Sequence, residues 1–253
     1  MSQREHANQV LKEQIVAVHQ ASRASYGSPR VHAALRQQGV TCTRKRVERL
    51  MRAYGIQGLS RRRRRTATTD SRHSLPVAPN LLNRNFTANR PNQKWLADIT
   101  YIDTLEGCLY LASVEDVFSR RIVGWAMDDH METSLVNAAL HMALFQRRPA
   151  DGLLHHSDRG SQYASRHYQA LLARRHITVS MSRPANCYDN AMLESFHATL
   201  KTECAAQPFA SRAAARLAIF EFIEAWYNRR RLHSALGYQS PDQFEQSFVS
   251  PLP

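Results

Sequence analysis

Three acidic residues, Asp98, Asp158 and Glu194, are together the candidates for chemistry, although an acid at a strand tip or on a helix is ordinary when taken alone. Asp98 falls inside Trp95-Leu-Ala-Asp-Ile-Thr-Tyr-Ile102, a run of β-branched and aromatic residues. Period two sets Leu96, Asp98, Thr100 and Ile102 on one face of a strand. A carboxylate there is costly to bury unless it is paired or bound to a cation. Asp158 follows Leu153–Ser157, a short apolar-rich segment that reads as a buried strand with the acid at its C-terminal tip. Glu194 lies in Asp189–Cys204, which lacks Gly and Pro and follows a Pro-Ala-Asn break. That stretch reads as a helix with Leu193, Phe196 and Leu200 on its buried stripe. Three carboxylates so placed suit two Mg²⁺ ions, each finishing its octahedron with water and phosphate oxygens.

Other acids have plainer uses. Asp103 ends its strand beside a turn, Asp116 is placed to cap or to pair with Arg120, and Asp189 suits a helix start. His155 and His156 precede Asp158 without zinc-site spacing, so strand packing or a hydrogen bond near the acids is their expected role. Lys201 stands two helical turns beyond Glu194, on the same face.

The elements that must position these residues follow a legible order. Trp95–Thr104, Cys108–Val117 and Arg121–Met127 read as an antiparallel meander. Helix 134–147, strand 153–157, helix 165–175 and strand 177–181 then alternate. A long last helix is expected over Ser211–Leu232, with Leu217, Phe220, Ile223 and Trp226/Tyr227 on its apolar side. Ahead of this core, Glu5–His19 reads as a helix with Val10, Leu11, Ile15 and Val18 apolar. A second starts at Ser28-Pro29, with Ser28 as N-cap, and ends at Gly39. A third, Arg44–Tyr54, is capped by Thr43 and stopped by Gly55. The last two form a helix-turn-helix pattern with Arg44, Lys45, Arg46 and Arg49 at the start and outer face of its second helix.

Charge divides the chain in the same place. The net charge is +13, yet residues 1–90 carry 18 Lys/Arg against 4 Asp/Glu, while residues 91–253 carry 16 against 17. A basic arm on a near-neutral core points to nucleic acid. Five consecutive arginines, Arg61–Arg65, belong to a solvated segment rather than to a core. The expected organisation is a helical DNA-binding domain over 1–60, a basic linker over 61–92, a catalytic core over 93–210, and a C-terminal helix and tail over 211–253. No apolar run has the length of a membrane span, and the N-terminus has no signal-peptide pattern, so a cytoplasmic protein is expected. Four scattered cysteines without a CxxC pair suggest thiols rather than a disulfide or zinc framework.

Asp98, Asp158 and Glu194, with 35 residues between the last two, resemble the D,D-35-E triad of transposases and retroviral integrases. The stretches HSDRGSQY, SMSRPANCYDNAMLESF, WLADITYI and YNRRRLHSALGYQSPDQF resemble the second-frame protein of the IS-three family of bacterial insertion sequences. The resemblance implies an α/β ribonuclease-H-like integrase core behind a small all-α helix-turn-helix domain. It implies a transposase that cleaves element ends and transfers the freed 3′-OH into DNA with two Mg²⁺ ions, Mn²⁺ substituting. It further implies Asp98, Asp158 and Glu194 as catalytic metal ligands, and Lys201, Tyr188 and Asn190 at the DNA. Implied partners are transposon ends, target DNA, further copies of the chain, and an upstream-frame helix-turn-helix protein or fusion. Two other readings share these features: a non-catalytic DNA-binding regulator, and a ribonuclease-H-like nuclease without strand transfer.

Overall fold

The computed structural model describes residues 2–60, 74–184 and 186–249. The arginine run and the first part of the expected linker lie outside these residues.

Three helices open the chain: α1 (Gln3–Ala21), α2 (Ser28–Gln37) and α3 (Arg44–Ala53). Ser2 and Glu5 form a capping box on α1, each side chain bonding the other's main-chain N–H. Gly27, not Ser28, is the N-cap of α2, so Ser28 and Pro29 occupy its first turn. Thr43 caps α3 by accepting from the Arg46 N–H. Leu11, Ile15, Val18, Val31, Leu35, Val47 and Leu50 close the shared core. Val10, expected inside, is exposed.

The sheet contains β1 (Lys94–Ile102), β2 (Leu109–Asp116), β3 (Ile122–Asp128), β4 (Leu154–Ser157) and β5 (Thr178–Met181). Its order is β3-β2-β1-β4-β5. The first three strands form the expected antiparallel meander, and β4 and β5 run parallel to β1. Helices α4 (Thr133–Arg147), α5 (Ser161–Ala164) and α6 (Arg166–Arg174) cover one face through Leu135, Ala139, Leu140, Tyr168 and Leu172. Gly124 lets α4 lie close, since a Cβ there would overlap the Ala139 carbonyl. The other face carries α7 (Ala191–Glu203) and α8 (Arg212–Glu221), with Leu193, Phe196, Leu200 and Ile219 against Leu96, Ile102 and Leu111.

The C-terminal region departs from the sequence reading. Helix α8 runs into a π-helical turn, Phe222–Tyr227, and the chain then turns through a 3₁₀ segment, Ser234–Leu236, into α9 (Pro241–Val249). Ala215, Ile219, Phe222, Ile223, Trp226 and Tyr227 form the buried stripe, while Leu217 and Phe220 are exposed. The expected apolar side thus holds at Ile223, Trp226 and Tyr227 but not at Leu217 and Phe220, because the buried stripe of α8 begins at Ala215.

Both ends of the chain meet on the α7–α8 side. Tyr26 stacks 5.8 Å from Trp226, and its hydroxyl accepts from the Leu232 N–H at 2.7 Å. Arg23 pairs with Glu221 at 3.0 Å, and Arg30 Nε donates to the Leu232 carbonyl at 2.9 Å. The described part of the expected linker also runs along the core. Leu82 is buried, and the Leu81 and Leu82 N–H groups donate to Ser180 Oγ.

Candidate active site

The strand register brings two of the acids together. Ala97 pairs with Ser157 across the parallel β1–β4 ladder, so Asp98 and Asp158 are the next residues on adjacent strands. Neighbouring strands lie about 4.8 Å apart. Asp98 sits opposite Ser113 on the antiparallel side and is half-buried. The Gly160 N–H donates to Asp158 Oδ1 at 2.9 Å, and a Cβ at Gly160 would crowd that same oxygen at 3.1 Å. Tyr163 reports the convergence of the two acids. Its phenol is pushed well up, first by burial, then by Tyr168, and then by the charges of both Asp98 and Asp158.

Helix α7 supplies the third acid along one stripe. Asn190 Nδ2 donates to the Ala97 carbonyl at 3.2 Å, fixing the helix start beside Asp98. Two turns on, His197 Nε2 stands 2.8 Å from Ser113 Oγ, and its Nδ1 is 3.5 Å from Asp98 Oδ2. Glu194 lies in sequence between these two anchors, in the first turn of α7 and one turn before His197. One turn further still, Lys201 holds its ammonium 3.9 Å from the centroid of the Tyr101 ring.

The loop that leads into α7 is held by ions. Asp189 is buried and accepts from Arg183 at 2.7 Å, Arg84 at 3.1 Å and Asn80 at 2.8 Å. The Arg183 hydrogen bond is the main reason its carboxyl lies well below the usual carboxylate range. Asp116 is buried, and burial raises its carboxyl. Its carboxylate accepts from the Asn92 and Phe118 N–H groups, the expected capping role, and lies 3.6 Å from Arg147, while the Arg120 N–H donates to its main-chain carbonyl at 2.8 Å. His155 and His156 are strand packing. His155 meets the Tyr168 hydroxyl at 2.9 Å, and His156 meets Ser180 and Ser182 at 2.8 and 3.1 Å.

The expected DNA contacts divide by exposure. Arg44, Lys45 and Arg49 are exposed at the start and outer face of α3, whereas Arg46 is half-buried and donates twice to Asn8 Oδ1. Tyr188 is exposed with the Arg84 guanidinium 5.5 Å from its ring. Asn190 is buried and its amide donates to the Ala97 carbonyl, so its role in this structure is to hold the entry of α7 against β1. Sequence reading missed His197 and Ser113, whose partnership exists only once β2 and α7 are packed together. Asp128, Asp129 and His130 also place three potential ligand atoms within 4.8 Å of one another, but they are surface groups at the end of β3 with pairings of their own. Among the described residues no helix is long and apolar enough to cross a membrane.

The chain matches the family "Integrase core domain" over residues 88–187 and again over 175–241, and the family "HTH-like domain" over 5–64. It is therefore an integrase-core protein with a helix-turn-helix-like region ahead of the core. It is 44% identical over 98% of its length to the "Insertion element IS600 uncharacterized 31 kDa protein" of Shigella sonnei, covering 91% of that protein. It is 43% identical to the "Transposase for insertion sequence element IS904" of Lactococcus lactis subsp. lactis (strain IL1403), covering 94% of each chain. It is also 43% identical to "Transposase InsF for insertion sequence IS3A" of Escherichia coli (strain K12), over 96% of this chain and 83% of that one. The chain belongs to the IS-three family of insertion-sequence transposases. Its fold is similar to that of a chain in the cryo-EM structure of the simian T-cell lymphotropic virus intasome bound to PP2A regulatory subunit B56 gamma. The TM-score is 0.54 at 19% identity, over 94% of this chain and 77% of that one.

Proposed function

We propose that Asp98, Asp158 and Glu194 form the catalytic centre of a DNA transposase that cleaves insertion-sequence ends and joins the freed 3′-OH to target DNA. The observation that carries this reading is the register. Asp98 within β1 and Asp158 just past the tip of β4 are neighbours across a parallel ladder, and Asn190 and His197 fix against β1 and Asp98 the helix that carries Glu194. Hard oxygen donors on a rigid frame fit Mg²⁺, with Mn²⁺ as a substitute, and three carboxylates suffice for two ions. When bound, the ions activate the attacking hydroxyl and stabilise the leaving oxygen. The chain's own groups hold that geometry: Gly160 N–H steadies Asp158, His197 faces Asp98, and the Asp189 ion cluster fixes the entry to α7.

In this reading residues 1–60 grip DNA through Arg44, Lys45 and Arg49, and 93–210 are the catalytic core. The 61–92 segment joins them, and 211–253 lock the two together. The enzyme works as an oligomer on DNA, fused to or alongside an upstream-frame helix-turn-helix protein. The test is end cleavage and joining on duplexes carrying the terminal sequences of its element, with Asp98→Asn, Asp158→Asn and Glu194→Gln. Each variant should lose both steps while melting at or above the parent temperature without metal, since each removes like-charge repulsion. Joining that persists in Glu194→Gln would overturn the assignment.

A further inference from the structure

A cavity of about 110 Å³ lies beside α7, where the N-terminal helices meet the C-terminal segment. It holds roughly four waters' volume at about 30 Å³ each. Arg30 from α2, Arg120 from the β2–β3 turn and Arg231 from beyond the π-helical turn all line it. Ser195 and Thr199, one helical turn apart on α7, complete one wall, and Ser195 directly follows Glu194.

The charges do not cancel within this cluster. Glu203 is committed to Arg231 at 2.7 Å. Glu115, within electrostatic reach of Arg120, is fully buried, and burial pushes its carboxyl up to about 8, so it is mostly protonated at neutral pH. Arg30 and Arg120 therefore leave an excess of positive charge. The Arg30 guanidinium is lowered first by burial and then by repulsion from Arg231. His233 lines the same cavity. It is 93% buried, and its Nε2 finds no hydrogen-bond partner among the described residues. Burial and the three arginines hold its imidazole well below the usual range, so it is neutral and has one N–H to donate. Arg231 is taken up by Glu203, Arg30 Nε by the Leu232 carbonyl and the Thr199 hydroxyl by the Ser195 carbonyl, which leaves the remaining Arg30 and Arg120 guanidinium nitrogens and the orphaned His233 nitrogen facing the cavity without a carboxylate of their own.

We infer that this cavity binds a phosphate of the DNA backbone, held by Arg30 and Arg120 with His233 and Ser195 as further donors. The inference rests on the transposase reading for its choice of ligand, because the cavity adjoins the helix that carries Glu194. A seated phosphate would also tie the N-terminal helices to the core, since Arg30 comes from α2 and Arg120 from the β2–β3 turn.

Arg120 is the residue to change, because it is not part of the main-chain bonding that joins the two regions. The full chain is melted in inorganic phosphate and in chloride at equal ionic strength, and its affinity for a duplex oligonucleotide is measured from low to moderate salt. Phosphate should raise the parent melting temperature above the chloride value, and Arg120→Gln should abolish that difference. Arg120→Gln should bind the duplex about tenfold more weakly, with the salt slope reduced by about 0.9, the share of one phosphate contact. Arg120→Lys should restore most of both. Unchanged affinity and slope in Arg120→Gln would overturn the inference, as would phosphate stabilisation without any effect on DNA, which would make this a site for free anions. Glu194→Gln is the contrast: it should lose joining and keep the parent slope. If it keeps joining, the catalytic assignment fails while the pocket result stands by itself.

Discussion

His197 presents Nδ1 to Asp98 Oδ2 at 3.5 Å while its Nε2 meets Ser113 Oγ at 2.8 Å. One tautomer satisfies both contacts: hydrogen on Nδ1 facing the carboxylate, with Nε2 accepting from the serine hydroxyl. This arrangement orients Asp98 from beneath, as a partner of a metal-binding carboxylate does. His197→Ala should lower joining and apparent Mg²⁺ affinity by about 10- to 100-fold. Ser113→Ala should produce a smaller effect in the same direction. Titrating Mg²⁺ in the joining assay separates the two readings. A rate restored by excess metal indicates positioning, and a parent-like metal curve removes His197 from the site.

The acids and the sheet were legible because local pattern carries them. Alternation in Trp95–Ile102 assigned Asp98 to its face, and the apolar run before Asp158 marked a strand tip. Residues that work through distant partners gave no such pattern. Nothing local to Asn190 marks Ala97 as the acceptor of its amide, and nothing local to Asp189, which suits a helix start, marks the three side chains that converge on it. In the C-terminal stripe Ile223, Trp226 and Tyr227 are buried as expected, whereas Leu217 and Phe220 are exposed because Ala215 and Ile219 supply the buried positions of the first turns. The ending itself had a signal, Ser240-Pro241 at the entry to α9, with Ser240 Oγ accepting from Gln243.

The buried histidines of β4 set an acid limit on the fold. Burial lowers His155 to about 3 and His156 to about 4, against an ordinary value near 6.5. The unfolded chain therefore binds these protons first, and stability falls as pH drops below about 6.5 toward the folded values. By pH 4 the loss should be on the order of a few kcal/mol. Melting curves from pH 7 to 4 should steepen in this window, and His156→Gln should flatten part of the decline. A decline that begins only below pH 4 would assign acid sensitivity to carboxylates instead.

Glu115 acts with the opposite sign. It pairs in register with Leu96, is fully buried, and neither carboxyl oxygen has a hydrogen-bond partner among the described residues. Its folded value of about 8 lies above the ordinary carboxylate range, so its stability contribution is complete at low pH and is lost as pH rises toward 8. Glu115→Gln cannot ionise. Its melting temperature relative to the parent should rise from pH 5 to about pH 8, by the equivalent of about 1.4 kcal/mol per pH unit at most, and level off above that. A difference that does not vary with pH would show that Glu115 stays charged in the fold.

Lys201 decides how far the α7 stripe reaches toward DNA. Its ammonium rests on Tyr101, two turns beyond Glu194 on the same face, and a cation–π contact of this kind contributes about 0.5–1 kcal/mol at a partly exposed site. The ring holds the cation at the open end of β1, past the short β4 ladder, where a strand lying over Asp98 and Asp158 would run. Lys201→Ala should weaken binding of DNA ends and reduce joining without altering the Mg²⁺ or Mn²⁺ requirement, because a cation has no place among the carboxylates. Lys201→Glu should be worse, since it sets a negative charge against a phosphate. Tyr101→Leu should give a milder loss by releasing the ammonium, and Tyr101→Phe should behave as the parent because the ring face is kept. The measurements are end binding by anisotropy and a crosslink from position 201 to labelled ends. If no crosslink forms and Lys201→Glu joins ends like the parent, the lysine serves only to cover Tyr101, and the functional stripe of α7 stops at His197.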